Sequence, residues 1–311
     1  GVMFWLVSEI SRAIGFPVFS VTLFGALLGA VLVGLIGGVL QPLFGGFHNT
    51  ILSPISFMRN PLSWLEVISR QKATLSGAPN FAYELCIRKS SAVRMGSLDL
   101  RSWNVAFTGA EPIRPDTLER FAAAFEPHGF CRKSFFSCYG LAEATLIVSG
   151  GPRDSGPTIH RVDRSALLQH TVKEIKAEDD RARLVVSCGR VMPGHEVLIV
   201  DSESMTACQP NMVGEVWISS PSVAHGYWNR PDENRQLFQA NVANDDHRPF
   251  LRTGDLGYLR DGELFITGRL KDLIIIRGRN LYPQDIESTV ARCDPALHAG
   301  GGAAFSIRGI S

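Results

Sequence analysis

Thr253-Gly254-Asp255-Leu256-Gly257 sets an acidic residue in a turn with glycine on both sides. An apolar strand follows, and Thr267-Gly268-Arg269-Leu270-Lys271-Asp272 then groups Arg, Lys and Asp in a second turn. Glycine lets the first turn tighten and lets a ligand approach the backbone closely. A carboxylate held there accepts hydrogen bonds from vicinal hydroxyls, the work an acidic residue does on a nucleotide ribose. Arg269 offers a planar fork of donors to the same region. Either turn alone is ordinary loop chemistry. The two in succession are more specific.

The second candidate is Phe135-Phe136-Ser137-Cys138-Tyr139-Gly140-Leu141-Ala142-Glu143-Ala144-Thr145. Tyr139 supplies a flat ring on which a base can stack, with a hydroxyl for anchoring. Glu143, four residues on, is a hard oxygen ligand of the kind Mg²⁺ takes when it bridges nucleotide phosphates. The Thr145 hydroxyl is suited to a phosphate oxygen. A tyrosine beside a glycine in a strand is also ordinary packing. A lone glutamate inside so apolar a run is harder to assign to packing, because a buried charge costs free energy unless it is paired.

Positioning these groups requires an α/β framework. Trp103 to Phe107 reads as a short buried strand ending in Thr108-Gly109-Ala110-Glu111-Pro112, and Pro115 to Phe125 as a helix with Leu118, Phe121, Ala122 and Phe125 inward. Strand, glycine turn and helix in that order form an α/β unit, whose strand ends are where ligands gather. Upstream, Asn60-Pro61 reads as a helix start with a capping side chain and Pro at the first helical position. Pro79 to Lys89 reads as a helix presenting Phe81, Leu85 and Arg88 along one face. Downstream, His195 to Asp201 and Gly214 to Ser219 read as strands, and Asn229 to Asp232 as a turn into a short helix. Trp217, Tyr227 and Trp228 are given to core or rim. Leu273 to Ile276 is expected as a strand and Pro283 to Arg292 as a helix. The polar stretch 150–185 reads as a solvated surface excursion.

The 311 residues suffice for one large domain or two unequal ones. Hydrophobic content of 45% and charged content of 20% describe a globular chain, and a net charge of +1 gives no electrostatic case for nucleic acid. The six cysteines are scattered without a CxxC pair, which reads as a reduced, cytoplasmic protein without a zinc site. Between Arg12 and Arg59 there is no Asp, Glu, Lys or Arg. Residues 16–38 are by length and composition a candidate membrane span, so membrane association through them is an open alternative.

Taken together, the two turns and Tyr139-Gly140-Leu141-Ala142-Glu143 resemble the motifs of the adenylate-forming enzymes, the superfamily of acyl-CoA synthetases, luciferases and nonribosomal peptide adenylation domains. Ile274 to Glu287, with Arg277-Gly278-Arg279-Asn280-Leu281-Tyr282-Pro283, is similar to the fatty acyl-AMP ligase branch. The resemblance covers roughly residues 34–307, where Gly34 to Gly46 resembles a buried helix and turn. It implies an α/β adenylate-forming fold. Residues 1–33 are a hydrophobic segment without a matching motif, and 34–268 a partial AMP-binding domain of α/β layers plus a small β subdomain. Residues 269–272 form a hinge, and 273–311 the start of a small C-terminal domain.

The resemblance further implies that Gly109, Ala110, Glu111 and Pro112 contact adenine through their backbone. Tyr139, Gly140, Thr145, Asp255 and Arg269 would hold ATP, Glu143 would hold Mg²⁺, and Lys271 would be the hinge residue. Ala78 to Tyr83 would border the acyl pocket, with plain core packing the alternative for Phe81 and Tyr83. The implied reaction activates a fatty acid with ATP for transfer to an acyl carrier protein or a polyketide synthase carrier domain. An acyl-CoA ligase and a non-catalytic nucleotide-binding remnant are the alternatives. The extra segment 150–185 lies where the acyl-AMP ligases carry an insertion thought to hinder use of CoA. No Thr/Ser/Gly-rich loop ending in Lys is found, nor a distal lysine segment. An internal fragment with weak or no activity of its own is therefore expected.

Overall fold

The structure, a computed structural model, describes residues 36–93, 96–176, 179–243, 245–276, 279–294, 297 and 302–307. Residues 1–33, and all but the end of the 16–38 stretch, lie outside the described residues. No helix among the described residues is long and apolar enough to cross a membrane.

A π-turn, Ile36–Leu40, leads into α1 (Gln41–Gly45), followed by α2 (Pro54–Arg59) and α3 (Leu62–Gln71). The expectation of core for residues 34–46 fails where it can be checked. In α1 only Pro42 is buried, while Leu43 is 74% and Phe44 96% exposed. Five residues make little more than one turn, and none of the hydrophobic clusters among the described residues takes in either side chain. The Asn60 cap also fails. Pro61 is itself the N-cap residue and no side chain caps α3, while the Asn60 carbonyl accepts from the Ser63 hydroxyl (2.6 Å).

A parallel unit comes next: β1 (Leu75–Gly77), α4 (Asn80–Lys89), β2 (Val105–Thr108), α5 (Pro115–Phe125) and β3 (Phe135–Leu141). β1, β2 and β3 pair in parallel. Helix α5 starts as its sequence directs, with Pro in its first turn and Asp116 beside it. Leu118, Phe121, Ala122 and Phe125 recur at helical spacing and are buried together. Each such aromatic, fully buried, contributes about 1.5–3 kcal/mol. Helix α4 carries Phe81, Leu85 and Arg88 along its outer face and turns another stripe inward. Ala82, Tyr83 and Cys86 are buried, and Phe81 and Arg88 face out. Tyr83 decides this, because its ring packs against Trp64, Phe121 and Phe135 and its hydroxyl donates to the Phe107 carbonyl (2.9 Å). The expected strand start at Trp103 is also displaced. The indole of Trp103 is buried and donates to Ser76 O and Val105 O, so its residue packs ahead of β2.

The remaining strands are antiparallel. They are β4 (Leu146–Gly150), β5 (Ile159–Asp163), β6 (Ala182–Val191), β7 (Glu196–Asp201), β8 (Thr206–Ala207) and β9 (Gly214–Ser219). After them come β10 (Ala240–Val242), β11 (Asp245–Arg260) and β12 (Glu263–Arg269). The long sheet runs β1-β2-β3-β4-β6-β12-β11-β9-β7-β8, with β5 on β6 and β10 on β11. Helix α6 (Arg164–Leu167) follows β5, and α7 (Pro231–Leu237) precedes β10. Beyond β12 lie a hairpin, β13 (Ile274–Ile276) and β14 (Arg279–Leu281), and α8 (Pro283–Cys293).

Stretch 150–185 is not the solvated excursion its polarity indicated. β5 pairs along β6, and Val162, Leu167 and Val172 are buried in one cluster with Leu256, Tyr258, Phe265 and Tyr282. Scattered apolar residues in a polar run close this core from one side, which composition averages away.

Candidate active site

Asp255 sits on a distortion of β11. The pairing with β9 shifts register between Arg252 and Leu256, and that with β12 between Leu256 and Gly257. Gly254 takes a left-handed φ of +70° there, a conformation glycine adopts without cost. The bulge is braced from β9. Glu215, 2% exposed, accepts from the Gly254 amide (3.0 Å) and pairs with Arg252 (2.8 Å). The Thr253 hydroxyl donates to Val216 O (2.7 Å) and accepts from the Asp255 amide (3.0 Å).

The carboxylate so presented has two side-chain donors. Tyr139, at the middle of β3, donates its hydroxyl to Asp255 Oδ2 at 2.7 Å. Arg269, the residue facing Asp255 across the β11–β12 ladder, donates Nε to Oδ1 at 2.9 Å. Burial lifts the Asp255 carboxyl above its ordinary range, against the opposing pull of Tyr139 and Arg269. Burial, followed by the Asp255 charge, raises the Tyr139 phenol well above the usual tyrosine range, so its proton stays in place. The charge of Glu143 also acts on Asp255, which puts that carboxylate in the same electrostatic neighbourhood.

Glu143 is carried on a one-turn 3₁₀ helix, Ala142–Ala144, directly after β3. Its approach depends on Gly140, where a Cβ would lie 1.6 Å from the Leu146 carbonyl oxygen. Only glycine lets β3 and β4 come this close. Thr145 and Leu146 both take positive φ. Glu143 Oε1 accepts from the Tyr227 hydroxyl at 2.6 Å. Burial, with this carboxylate as acceptor, lifts the Tyr227 phenol above its usual range. Thr145 gives its hydroxyl proton to Ser222 O (2.6 Å), a tie between the turn and the loop after β9.

The turn Gly109-Ala110-Glu111-Pro112 leaves β2 beside this cluster. A Cβ on Gly109 would lie 2.5 Å from the carbonyl of Cys138, the neighbour of Tyr139. Ala110 has φ +66°. Glu111 turns its carboxylate onto the start of α4, accepting from Asn80 Nδ2 (2.9 Å) and the Phe81 amide (3.3 Å). The exposed Phe81 and fully buried Tyr83 separate accordingly, Tyr83 being core. Lys271 is exposed on the 3₁₀ turn Leu270–Asp272, just past Arg269.

Beyond Lys271 the chain is held by stretch 150–185. Arg183 of β6 pairs with Asp285 (3.2 Å), lies over the Tyr282 ring (4.3 Å) and donates to Thr267 O (2.9 Å). Asn280 Nδ2 bonds His170 Nε2 at 2.7 Å.

The structure thus joins Tyr139, Asp255 and Arg269 by direct contact, with Glu143 alongside and the Gly109 turn next to Tyr139. Sequence reasoning passed over Glu215 and gave Tyr227 to core or rim. A charged residue directly before the apolar run Val216-Trp217-Ile218 was the available signal for Glu215. Nothing in the sequence marked Tyr227. A cavity of about 450 Å³ lined by Gly194, His195, Ser219 and Arg248 among others shares no residue with the cluster.

The fold is that of the adenylate-forming enzymes. A solved fatty acid AMP ligase of Legionella pneumophila matches at a TM-score of 0.74 with 44% identity, over 89% of this chain and 48% of that one. A solved structure from work on fatty acyl-adenylate ligases of E. coli and L. pneumophila matches at 0.79 with 39% identity, over 88% and 48%. The chain belongs to the AMP-binding enzyme family, whose profile matches residues 22–228. The match starts upstream of Gly34, inside the segment that offered no matching motif. Among curated relatives, the medium-chain-fatty-acid–[acyl-carrier-protein] ligase JamA of Moorena producens is 48% identical, over 88% of this chain and 47% of its own. The long-chain-fatty-acid–AMP ligase FadD32 of Mycolicibacterium smegmatis is 39% identical, over 88% and 46%. The chain spans about half the length of the curated relatives it matches.

Proposed function

We propose that this chain forms the nucleotide-holding part of a fatty acyl-AMP ligase. In that reaction a fatty-acid carboxylate oxygen attacks the α-phosphorus of ATP. A mixed anhydride forms, pyrophosphate leaves, and the acyl group passes to a carrier protein. The observation that carries the reading is the Asp255 carboxylate, held by Tyr139 on one oxygen and Arg269 on the other. A carboxylate fixed by two donors keeps lone pairs for the vicinal hydroxyls of a ribose. Tyr139 would border the base, and the backbone of Gly109 to Pro112, its carboxylate turned away, would face the adenine edge.

Among the described residues no group of three or more His, Cys, Asp or Glu could hold a metal ion by itself. Glu143 fits a different mode. Mg²⁺ is held through one or two carboxylates while phosphates and water complete its shell, and Glu143 Oε2 accepts no hydrogen bond among the described residues. Bound there, Mg²⁺ would neutralise phosphate charge as it builds. Arg269 stands on the last residue of β12 and Lys271 just beyond it, so Lys271 as hinge would move the following hairpin without disturbing Asp255.

The acyl-AMP branch is favoured over a CoA ligase by the matches to a fatty acid AMP ligase at 44% identity and to a fatty-acid–[acyl-carrier-protein] ligase at 48%. Calorimetric titration with a non-hydrolysable fatty acyl-AMP mimic tests the reading. Saturable binding that CoA does not compete away is expected, and the absence of any binding overturns it.

A further inference from the structure

Glu143 belongs to a turn that one loop grips at four points. The Ala224 amide donates to Glu143 O (2.8 Å) and the Ser222 hydroxyl to Ala144 O (2.9 Å). Thr145 Oγ1 donates to Ser222 O (2.6 Å), and the Tyr227 hydroxyl reaches the Glu143 carboxylate (2.6 Å). The loop is anchored in turn. Asn234 of α7 accepts from the Tyr227 amide (2.6 Å) and donates to the Tyr227 carbonyl (2.9 Å), closing a two-point amide clasp. The Tyr227 ring stands edge-on to Phe238, centroids 5.1 Å apart. Gly226 is left no room for a side chain, because a Cβ would meet the Asn234 amide at 2.4 Å. A residue fixed through backbone, ring and hydroxyl has little rotamer freedom left to lose.

We propose that Tyr227 is a positioning residue for Glu143. Its phenol occupies Oε1 and fixes the carboxylate plane, so that Oε2 alone is presented to a divalent cation on the nucleotide phosphates. The inference rests on the reading of Glu143 as a cation ligand. Partners that orient a metal-binding carboxylate change affinity by about 10- to 100-fold when removed.

The test is Mn²⁺ titration by electron paramagnetic resonance on the ATP-saturated chain, with ATP affinity in EDTA and the melting temperature measured alongside. Tyr227→Phe is expected to weaken Mn²⁺ binding by roughly tenfold or more, leaving ATP affinity in EDTA and the melting temperature near wild type. Glu143→Gln is expected to weaken Mn²⁺ binding at least as far, and adding Tyr227→Phe to it to change nothing more, because the two act through one contact. Unchanged Mn²⁺ affinity in Tyr227→Phe beside a weakened Glu143→Gln overturns the positioning role. So does equal loss of ATP affinity in EDTA, which marks a general packing role. Unchanged affinity in Glu143→Gln overturns the cation reading and the inference with it.

Discussion

The Tyr139 hydroxyl lies 2.7 Å from Asp255 Oδ2, joining residues 116 positions apart in the chain. The bond ties β3, the last of the parallel strands, to the bulge of β11. It does so at an acceptor whose other oxygen is committed to Arg269. Hydrogen bonds to charged groups are worth about 1.5–3 kcal/mol. Tyr139→Phe keeps the ring and leaves a half-buried carboxylate one donor short. Urea unfolding is expected to show a loss of that size. A loss below about 0.5 kcal/mol would mean that the bond does not form in solution.

Glu215 supports the same turn from behind. Removing one member of a buried ion pair costs about 3–5 kcal/mol, because the partner charge is left uncompensated. Arg252 is 22% exposed and recovers part of this through water, so Glu215→Ala is expected near the lower end. Glu215→Gln, which still accepts from the Gly254 amide, is expected to cost less. Chemical denaturation of both variants distinguishes the outcomes, and equal cost in the two would assign the amide bond no share.

Acidity is expected to loosen stretch 150–185. His160 of β5 is buried between the Tyr258 hydroxyl (Nδ1, 2.8 Å) and Arg260, which also pairs with Glu174. Burial, then the Arg260 charge, lowers its basicity against the weaker upward pull of Glu174 and Asp261. The unfolded chain therefore binds a proton more readily than the folded one. The stabilisation is complete above the ordinary histidine range, about pH 6.5, and is lost as pH falls through the depressed folded value. Protection from hydrogen exchange over 159–163, after correction for the intrinsic pH dependence of exchange, is expected to fall between about pH 7 and 5, and His160→Gln to flatten that dependence. A wild-type rate that follows only the chemical pH effect would contradict this.

The grip of Arg183 on Asp285, Tyr282 and Thr267 has a simple readout. Arg183→Ala is expected to free the residues after β12 and accelerate tryptic cleavage at the exposed Lys271, by roughly tenfold if one charged contact of about 1.4 kcal/mol is lost. An unchanged cleavage rate would leave β13, β14 and α8 held by other contacts alone.

Much of this was legible in the sequence because it is local. The helix Pro115–Phe125 announces itself by proline, acid and a regular apolar stripe, and the turns around Asp255 and Glu143 by glycine beside a charge. What was not legible depends on long-range choice. Helix α4 carries apolar residues on more than one stripe, and only the aromatic neighbours of Tyr83 select the buried one. Stretch 150–185 has few apolar residues, yet Val162, Leu167 and Val172 are spaced by a strand, a short helix and a bridge that bring them to one side. Tyr227 lies 84 positions from Glu143, and no local pattern announces a contact of that kind.

A crystal structure of the chain with a bound fatty acyl-AMP mimic tests the central claim most directly. The ribose hydroxyls are expected within hydrogen-bond distance of Asp255, with the adenine against Tyr139 and the Gly109–Pro112 backbone. A mimic bound away from Asp255, or one whose ribose makes no contact with that carboxylate, would contradict it.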